Sequence, residues 1–275
     1  MFILNPYRFS ASGSIDSDAQ AFLTAAGISD SAIVSAIDGL VKGLKADGLW
    51  SKIQALYPMV GGTASTHKWN LKDPRDLDAA FRLTWNGTWT HSATGAKPDG
   101  STAWADTYFV PSSRQSAFNG HCSYYSRNHY GSPNVPIGAY ALHTDGNALL
   151  FQINANPSGN SIISSLTTES AAFTGVTDVA AFFIGSRTAN NSVIAYRNGI
   201  NCGSNTGTAS DRRPTIAVAL GARRARTTSS GPLSVDLWSP LECAGASMGA
   251  GLTPTESANF YTRMQAFNTA LSRQV

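Results

Sequence analysis

Charge is scarce in this chain. Asp, Glu, Lys and Arg make up 13% of its 275 residues, about half the usual share of a globular domain. The formal net charge of +3 is too small to be the electrostatic footprint of a nucleic-acid binder. Glutamate is rarer still, with only Glu169, Glu242 and Glu256. Cysteine is limited to Cys122, Cys202 and Cys243, with no Cys-x-x-Cys pair. An odd set cannot all be bridged within one chain, so these read as reduced thiols in a protein assembled in a cytoplasm, serving as small buried hydrophobes. No apolar run approaches the ~18 residues of a membrane span, so no membrane insertion is expected. The start, Met1 to Phe9, lacks the basic opening and long apolar core of a secretion signal. No phosphate-binding loop is present.

Strand patterns fill much of what remains. Ile194 and Tyr196 alternate into Asn198-Gly199, the dipeptide of a two-residue type I′ hairpin, in which both central residues need φ > 0. Ile216, Val218 and Leu220 alternate strictly, separated only by Ala217 and Ala219. A period of two with small residues on the second face predicts strands packed in a two-layer sandwich, with Tyr196, Ile216, Val218 and Leu220 facing its core. Asn86-Gly87, after Phe81, Leu83 and Trp85, and Asp145-Gly146, between Tyr140/Leu142 and Leu149/Phe151/Ile153, give two more hairpin signals. Tyr124-Tyr125, Phe182-Phe183 and Leu233 to Leu237 supply further strands.

The chain divides into three parts. Residues 1–14 form an aromatic arm (Phe2, Ile3, Leu4, Tyr7, Phe9) ending in a Ser/Gly linker. Residues 15–60 read as a helical appendage. Asp16 or Ser17 caps a first helix that Gly27 stops, and Ser29 or Asp30 starts a second. Ile33, Val34, Ile37, Leu40, Val41 and Leu44 fall at helical spacing along it. Trp50, Ile53, Leu56 and Tyr57 fit a third short helix ended by Pro58. Residues 61–275 form the sandwich and a closing helix, in which Thr253, Pro254 and Glu256 make a capping box and Phe260, Met264, Phe267 and Leu271 mark one face.

Candidate chemistry is sparse. Sandwich glycosidases need a pair of carboxylates, one to protonate the leaving oxygen and one to attack or to activate water. Glu256 is used at a helix start, and neither Glu169 nor Glu242 has an acid two residues on, so no catalytic residue is assigned and no enzyme activity is expected. His121-Cys122 with His129 lacks the ligand spacing of a zinc site. Calcium is compatible with the turn carboxylates Asp99, Asp106 and Asp145, but no spacing gathers them. No metal or cofactor is therefore assigned. Two features suit partners. Arg212-Arg213 and Arg223, Arg224 and Arg226 bracket the Ile216–Leu220 run, at opposite ends of an expected strand. Trp69, Trp85, Trp89 and Trp104 carry indoles that either pack in a core or stack on sugar faces. Of these, Trp69, Trp89, Trp104, Arg223, Arg224 and Arg226 are the candidate glycan or interface contacts.

The Tyr196–Gly199 hairpin, Leu220-Gly221 and the closing segment Ala246-Ser-Met-Gly-Ala-Gly-Leu-Thr-Pro-Thr-Glu256 resemble the concanavalin A-like, laminin-G-like jelly roll across residues 66–272. The whole chain also resembles uncharacterised virion structural proteins of tailed bacteriophages, through Leu49-Trp50 to Thr63 and His67 to Asp78. The resemblance implies a mainly β, antiparallel two-sheet jelly roll with a small N-terminal helical segment and a C-terminal helix. It implies a non-enzymatic tail, fibre or head-decoration protein, released in the virion by host lysis. Phe2, Ile3, Leu4, Tyr7 and Phe9 would anchor it to other virion proteins, in a homo-oligomer. The alternative reading is a glycan-binding module that recognises a host surface; a polysaccharide hydrolase is the third.

Overall fold

The computed structural model describes residues 14–115, 118–156, 161–167, 169–174, 178–208 and 212–275. The anchor residues Phe2, Ile3, Leu4, Tyr7 and Phe9 lie outside them.

Two sheets face each other across an apolar core. The first runs in the order β13 (Ile200–Asn205), β12 (Ser192–Arg197), β11 (Ala181–Ala189), β6 (Gly120–Ser126), β17 (Cys243–Gly249), β4 (Gly95–Pro98) and β3 (Trp89–Ser92), with β1 (Ile53–Tyr57) also paired to β17. The second runs β10 (Glu169–Thr174), β9 (Ser161–Thr167), β8 (Ala148–Asn156), β7 (Asn134–Leu142), β14 (Ala219–Leu220), β5 (Trp104–Asp106) and β2 (Thr84–Asn86). In addition β15 (Arg223–Arg226) lies on β7 and pairs with β16 (Ser234–Asp236). The described pairings are antiparallel except that of β15 with β7, which is parallel. The fold is a mainly β sandwich, as its alternating strands predict.

Helices cover the first sheet. In α1 (Ser17–Ala26) the Asp16 carboxylate accepts the Asp18 N–H, and Gly27 ends the helix at φ 66°. In α2 (Ser31–Ala46) Asp30 accepts from Ala32 and Ile33. Two one-turn helices follow, α3 (Ala64–His67) and α4 (Pro111–Arg114). The closing helix α5 (Pro254–Ala270) carries the expected capping box of Thr253 and Glu256. Phe22, Ile37, Leu40 and Leu44 of the first two helices meet Phe260, Met264 and Phe267 of α5 over Tyr125, Phe182, Ile184 and Tyr196 of the sheet. Each such side chain stabilises by roughly 1.5–3 kcal/mol when fully buried. Arg273, fully buried, locks the C-terminus down. Its guanidinium donates to Met59 O (2.6 Å), Pro58 O (2.6 Å), Ala244 O (3.1 Å) and Asn268 Oδ1 (2.8 Å).

Doubled aromatics in the first sheet are split between its faces. Tyr124 and Phe183 enter the core between the sheets, whereas Tyr125 and Phe182 enter the core beneath the helices. Tyr196 belongs to the second group, so it faces the helices rather than the inter-sheet core. Ile216, Val218 and Leu220 do enter the inter-sheet core, although only Ala219–Leu220 of that run pairs as a strand.

Three local expectations change. The third helix is instead β1, paired with β17 from Ile53↔Gly249 to Tyr57↔Ala246. Ala55 and Tyr57 point into one core while Ile53 and Leu56 point into the other, and a helix would bury only one stripe. Asn86-Gly87 is not a hairpin, because β2 and β3 belong to different sheets. There Gly87 alone takes positive φ (71°), and a Cβ on it would lie 2.1 Å from Thr102 O. Asp145-Gly146 does join β7 to β8, but through a three-residue loop closed by His143 N–H to Asn147 O, with Gly146 at φ 84°. Asn198 and Gly199, at φ 49° and 76°, make the two-residue hairpin that the sequence predicts.

Candidate functional site

The outer face of the second sheet holds most of the candidate contacts. Ala105 of β5 enters the core, so its neighbours Trp104 and Asp106 turn outward by strand alternation. The Arg224 guanidinium stacks over the Trp104 ring at 5.3 Å and donates to Asp106 Oδ2 at 2.5 Å. The adjacent Arg223 clamps Asp236 through two 2.8 Å bonds and lies over Tyr140 at 4.8 Å. The Tyr108 and Thr84 hydroxyls meet at 2.9 Å. A cleft of about 330 Å³ opens among Asp106, Tyr108, Ile216, Arg224, Arg226 and Leu233. Arg226 Nε is buried without a hydrogen-bond partner among the described residues. Aromatic and aliphatic surface beside fixed, charged hydrogen-bonding groups suits a polar ligand with apolar C–H faces.

Trp104 and Arg224 are therefore brought together, with Arg226 lining the same cleft as Arg224. Arg223, next along the strand and turned to Asp236 and Tyr140, is not part of that cleft, and Trp69 and Trp89 lie elsewhere. Trp69 packs against the helix-side core, with Lys68 Nζ 4.5 Å above its ring. Trp89 closes the edge of the sandwich. It meets Trp85 edge-on at 4.8 Å and lies nearly parallel to His91 at 6.2 Å. Beneath them, the Gly62 N–H donates to His67 Nε2 at 3.2 Å, which puts the His67 proton on Nδ1, 3.0 Å from His91 Nδ1. Burial, reinforced by the neighbouring His91, pushes His67 down to about 3. Burial also lowers His91.

The other chemical candidates disperse. His121 and Cys122 are consecutive on β6 and face opposite ways. His121 donates from Nδ1 to Ala250 O at 2.5 Å, leaving Nε2 to accept from Ser247 Oγ at 3.0 Å. The spacing is that of a nucleophile and its base, but both residues are fully buried, under Phe260 of α5, which leaves a substrate no approach. Burial pushes His121 down to about 4 and the buried Cys243 thiol up to about 12. His129 is exposed, 3.8 Å from Asp178. Glu242 accepts from Thr94 at 2.6 Å and faces Arg127 at 3.4 Å. Glu256 is engaged by Lys52 at 2.7 Å and by its own helix cap.

Asp99, Asp106 and Asp145 are occupied separately. Asp99 accepts the Ser101, Thr102 and Ala103 N–H groups and the Thr102 hydroxyl. Against the upward push of desolvation, these bonds hold it well below the usual carboxylate range. Asp145 is paired with Arg212 and with His143, and Asp106 with Arg224. Among the described residues no three His, Cys, Asp or Glu converge on a point.

The fold and this face together define a jelly-roll sandwich in which, among the described residues, helices cover the first sheet and not the second. No protein-family model and no curated protein matches the chain. Solved structures do. A mutant of Trypanosoma rangeli sialidase with trans-sialidase activity is similar at 9% identity and TM-score 0.50, over 85% of this chain and 39% of that one. The Trypanosoma rangeli sialidase in complex with a difluoro-nononic acid gives 9% identity and TM-score 0.50, over 83% and 39%. Botulinum neurotoxin type C, which interacts with two ganglioside molecules, gives 8% identity and TM-score 0.50, over 79% and 53%. The chain thus spans well under two thirds of each of these structures. At such identities the likeness is one of fold.

Proposed function

We propose that the protein is a carbohydrate-recognition module that binds glycans on the open face of its second sheet. The observation that carries this reading is the contrast in covering. Helices bury the outer face of the first sheet, whereas among the described residues no helix packs on the second. Beside that second sheet Asp106, Tyr108, Arg224 and Arg226 surround an open cleft, and Trp104 lies under the Arg224 guanidinium. Indoles stack on the C–H faces of pyranose rings, and a guanidinium–carboxylate pair offers donors and acceptors to ring hydroxyls. The sialidase and neurotoxin likenesses support the reading, since this sandwich serves glycan-handling proteins. A glycan array probed with the protein and with Trp104→Ala tests it. Binding that the substitution weakens at least tenfold, with an unchanged melting temperature, is the expected result; binding indifferent to it would refute the site.

A second reading places the module in a bacteriophage virion, assembled in the host cytoplasm and released by lysis, with its aromatic arm as the anchor. One observation favours it. The chain leaving the arm is held to α2, through Lys42 Nζ on Ser14 O at 3.0 Å and the Asp16 N–H on Asp38 Oδ1 at 2.8 Å. An arm rooted at a fixed point could present Phe2, Ile3, Leu4, Tyr7 and Phe9 to a neighbour. Deleting residues 1–10 should leave a folded protein that no longer co-purifies with particles. Incorporation at normal occupancy would rule the anchor out.

A further inference from the structure

A second cleft, of about 250 Å³, opens beside the one around Arg224. His143, Leu149, Arg212, Arg213 and Thr215 line it, and Thr215, exposed at the surface, lines the first cleft as well. The run from Arg212 to Val218 is not an extended strand, so the two arginine clusters do not stand at opposite ends of one. They flank two openings that meet at a single threonine. Four arginines (Arg212, Arg213, Arg224 and Arg226) border the pair of clefts. Asp145 engages Arg212 and Asp106 engages Arg224, while the buried Nε of Arg226 has no partner among the described residues. Arg226 lines the cleft and is only partly buried, so its guanidinium can meet a ligand carboxylate with charge-assisted strength. Leu149, Ile216 and Leu233 add apolar surface beneath.

We infer that the two clefts form one continuous groove, bridged at Thr215, for an acidic oligosaccharide carrying carboxylates on its sugar units. The inference rests on the carbohydrate-recognition reading and adds to it the charge and the length of the ligand. The second cleft alone is below the size of an ordinary small-molecule site and the first only just reaches it, whereas the pair together lies well inside that range. A chain that spans both gains from two linked contacts at high effective concentration.

Calorimetric titration with tetragalacturonate, galacturonic acid, a sulfated tetrasaccharide and neutral maltotetraose tests this. Tetragalacturonate should bind at least tenfold more tightly than either the monosaccharide or maltotetraose, and should weaken as salt is raised. Thr215→Asp, which places a carboxylate at the exposed bridge, and Arg226→Gln should each cost at least tenfold in tetragalacturonate affinity. Thermal melts of both variants should match the parent. Equal or tighter binding of maltotetraose, or unchanged affinity in Thr215→Asp, would overturn the groove while leaving carbohydrate recognition standing. Binding of the sulfated tetrasaccharide without tetragalacturonate would overturn the assignment to carboxylates. Binding of no glycan at all, on these probes and on the array, would instead defeat the reading beneath it.

Discussion

The two sheets of this sandwich have outer faces of opposite character. On the first, Tyr125, Phe182, Ile184 and Tyr196 lie under α1, α2 and α5, and Arg273 is fixed beneath the C-terminus by carbonyl oxygens. On the second, Arg224 lies over Trp104 and, with Arg226, beside an open cleft. The same kinds of residue therefore do different work. Arg273 is spent on stability, with every bond directed at the protein itself. Arg224 and Arg226 lie where a ligand can reach them. Side-chain chemistry alone does not tell these arginines apart; what covers the face does.

Substitutions can break this contrast from either side. The largest effect belongs to the covered face. Arg273→Leu strands the buried carbonyls of Pro58, Met59 and Ala244, each of which loses its donor at a cost of ~1–3 kcal/mol. Denaturant unfolding should show a loss of about 3 kcal/mol or more. A loss under about 1 kcal/mol would mean that water reaches those carbonyls.

Acid comes next. His67 and His121 are held below the ordinary 6.5, at about 3 and about 4, because burial disfavours their charged forms. The unfolded chain therefore takes up protons that the folded one refuses. Stability is fully present above pH 6.5 and falls as the pH drops from there towards 4, by about 1.4 kcal/mol per unit for each histidine. Melting temperatures across that range measure it, and His67→Phe should flatten part of the slope. An unchanged slope would show that the Gly62–His67–His91 chain is not what resists protonation.

The smallest effect on stability is expected at the open face. Arg224→Gln keeps an amide donor beside Asp106 and leaves it its bond from the Tyr108 N–H at 2.9 Å, so losing this mostly buried ion pair should cost about 2 kcal/mol. Glycan affinity should nevertheless fall about tenfold. Trp69→Ala is the counterpart on the covered side. It should lower stability without changing affinity.

Much of the fold was legible from alternation and caps. Asp16 and Asp30, each one of two caps open to the sequence, and Thr253 start the three long helices among the described residues, and Asn198-Gly199 turns where its two positive φ values demand. The misses share a cause. Ile53–Tyr57 has apolar residues that fit a helical stripe as well as a strand, and only pairing with β17 decides between them. Likewise, Asn86-Gly87 carries a hairpin dipeptide, but whether the chain turns back or crosses to the other sheet depends on what Gly87 must pass. The doubled aromatics Tyr124-Tyr125 and Phe182-Phe183 did hold a readable signal. Adjacent large apolar residues on a strand mean burial on both faces, and hence a layer over that sheet. The gathering of Trp104 with Arg224 was not legible. It depends on Arg223–Arg226 running parallel to β7, a long-range contact that no local pattern encodes. The arm and its anchor residues lie outside the described residues.

The most direct test of the open face as the binding surface is a paired affinity measurement. Trp104→Ala and Trp69→Ala are titrated side by side against the strongest glycan found on the array, each with its melting curve. The account predicts at least a tenfold loss for Trp104→Ala with little change in melting, and parent-like affinity for Trp69→Ala. Full affinity in Trp104→Ala, or a loss confined to Trp69→Ala, would contradict it.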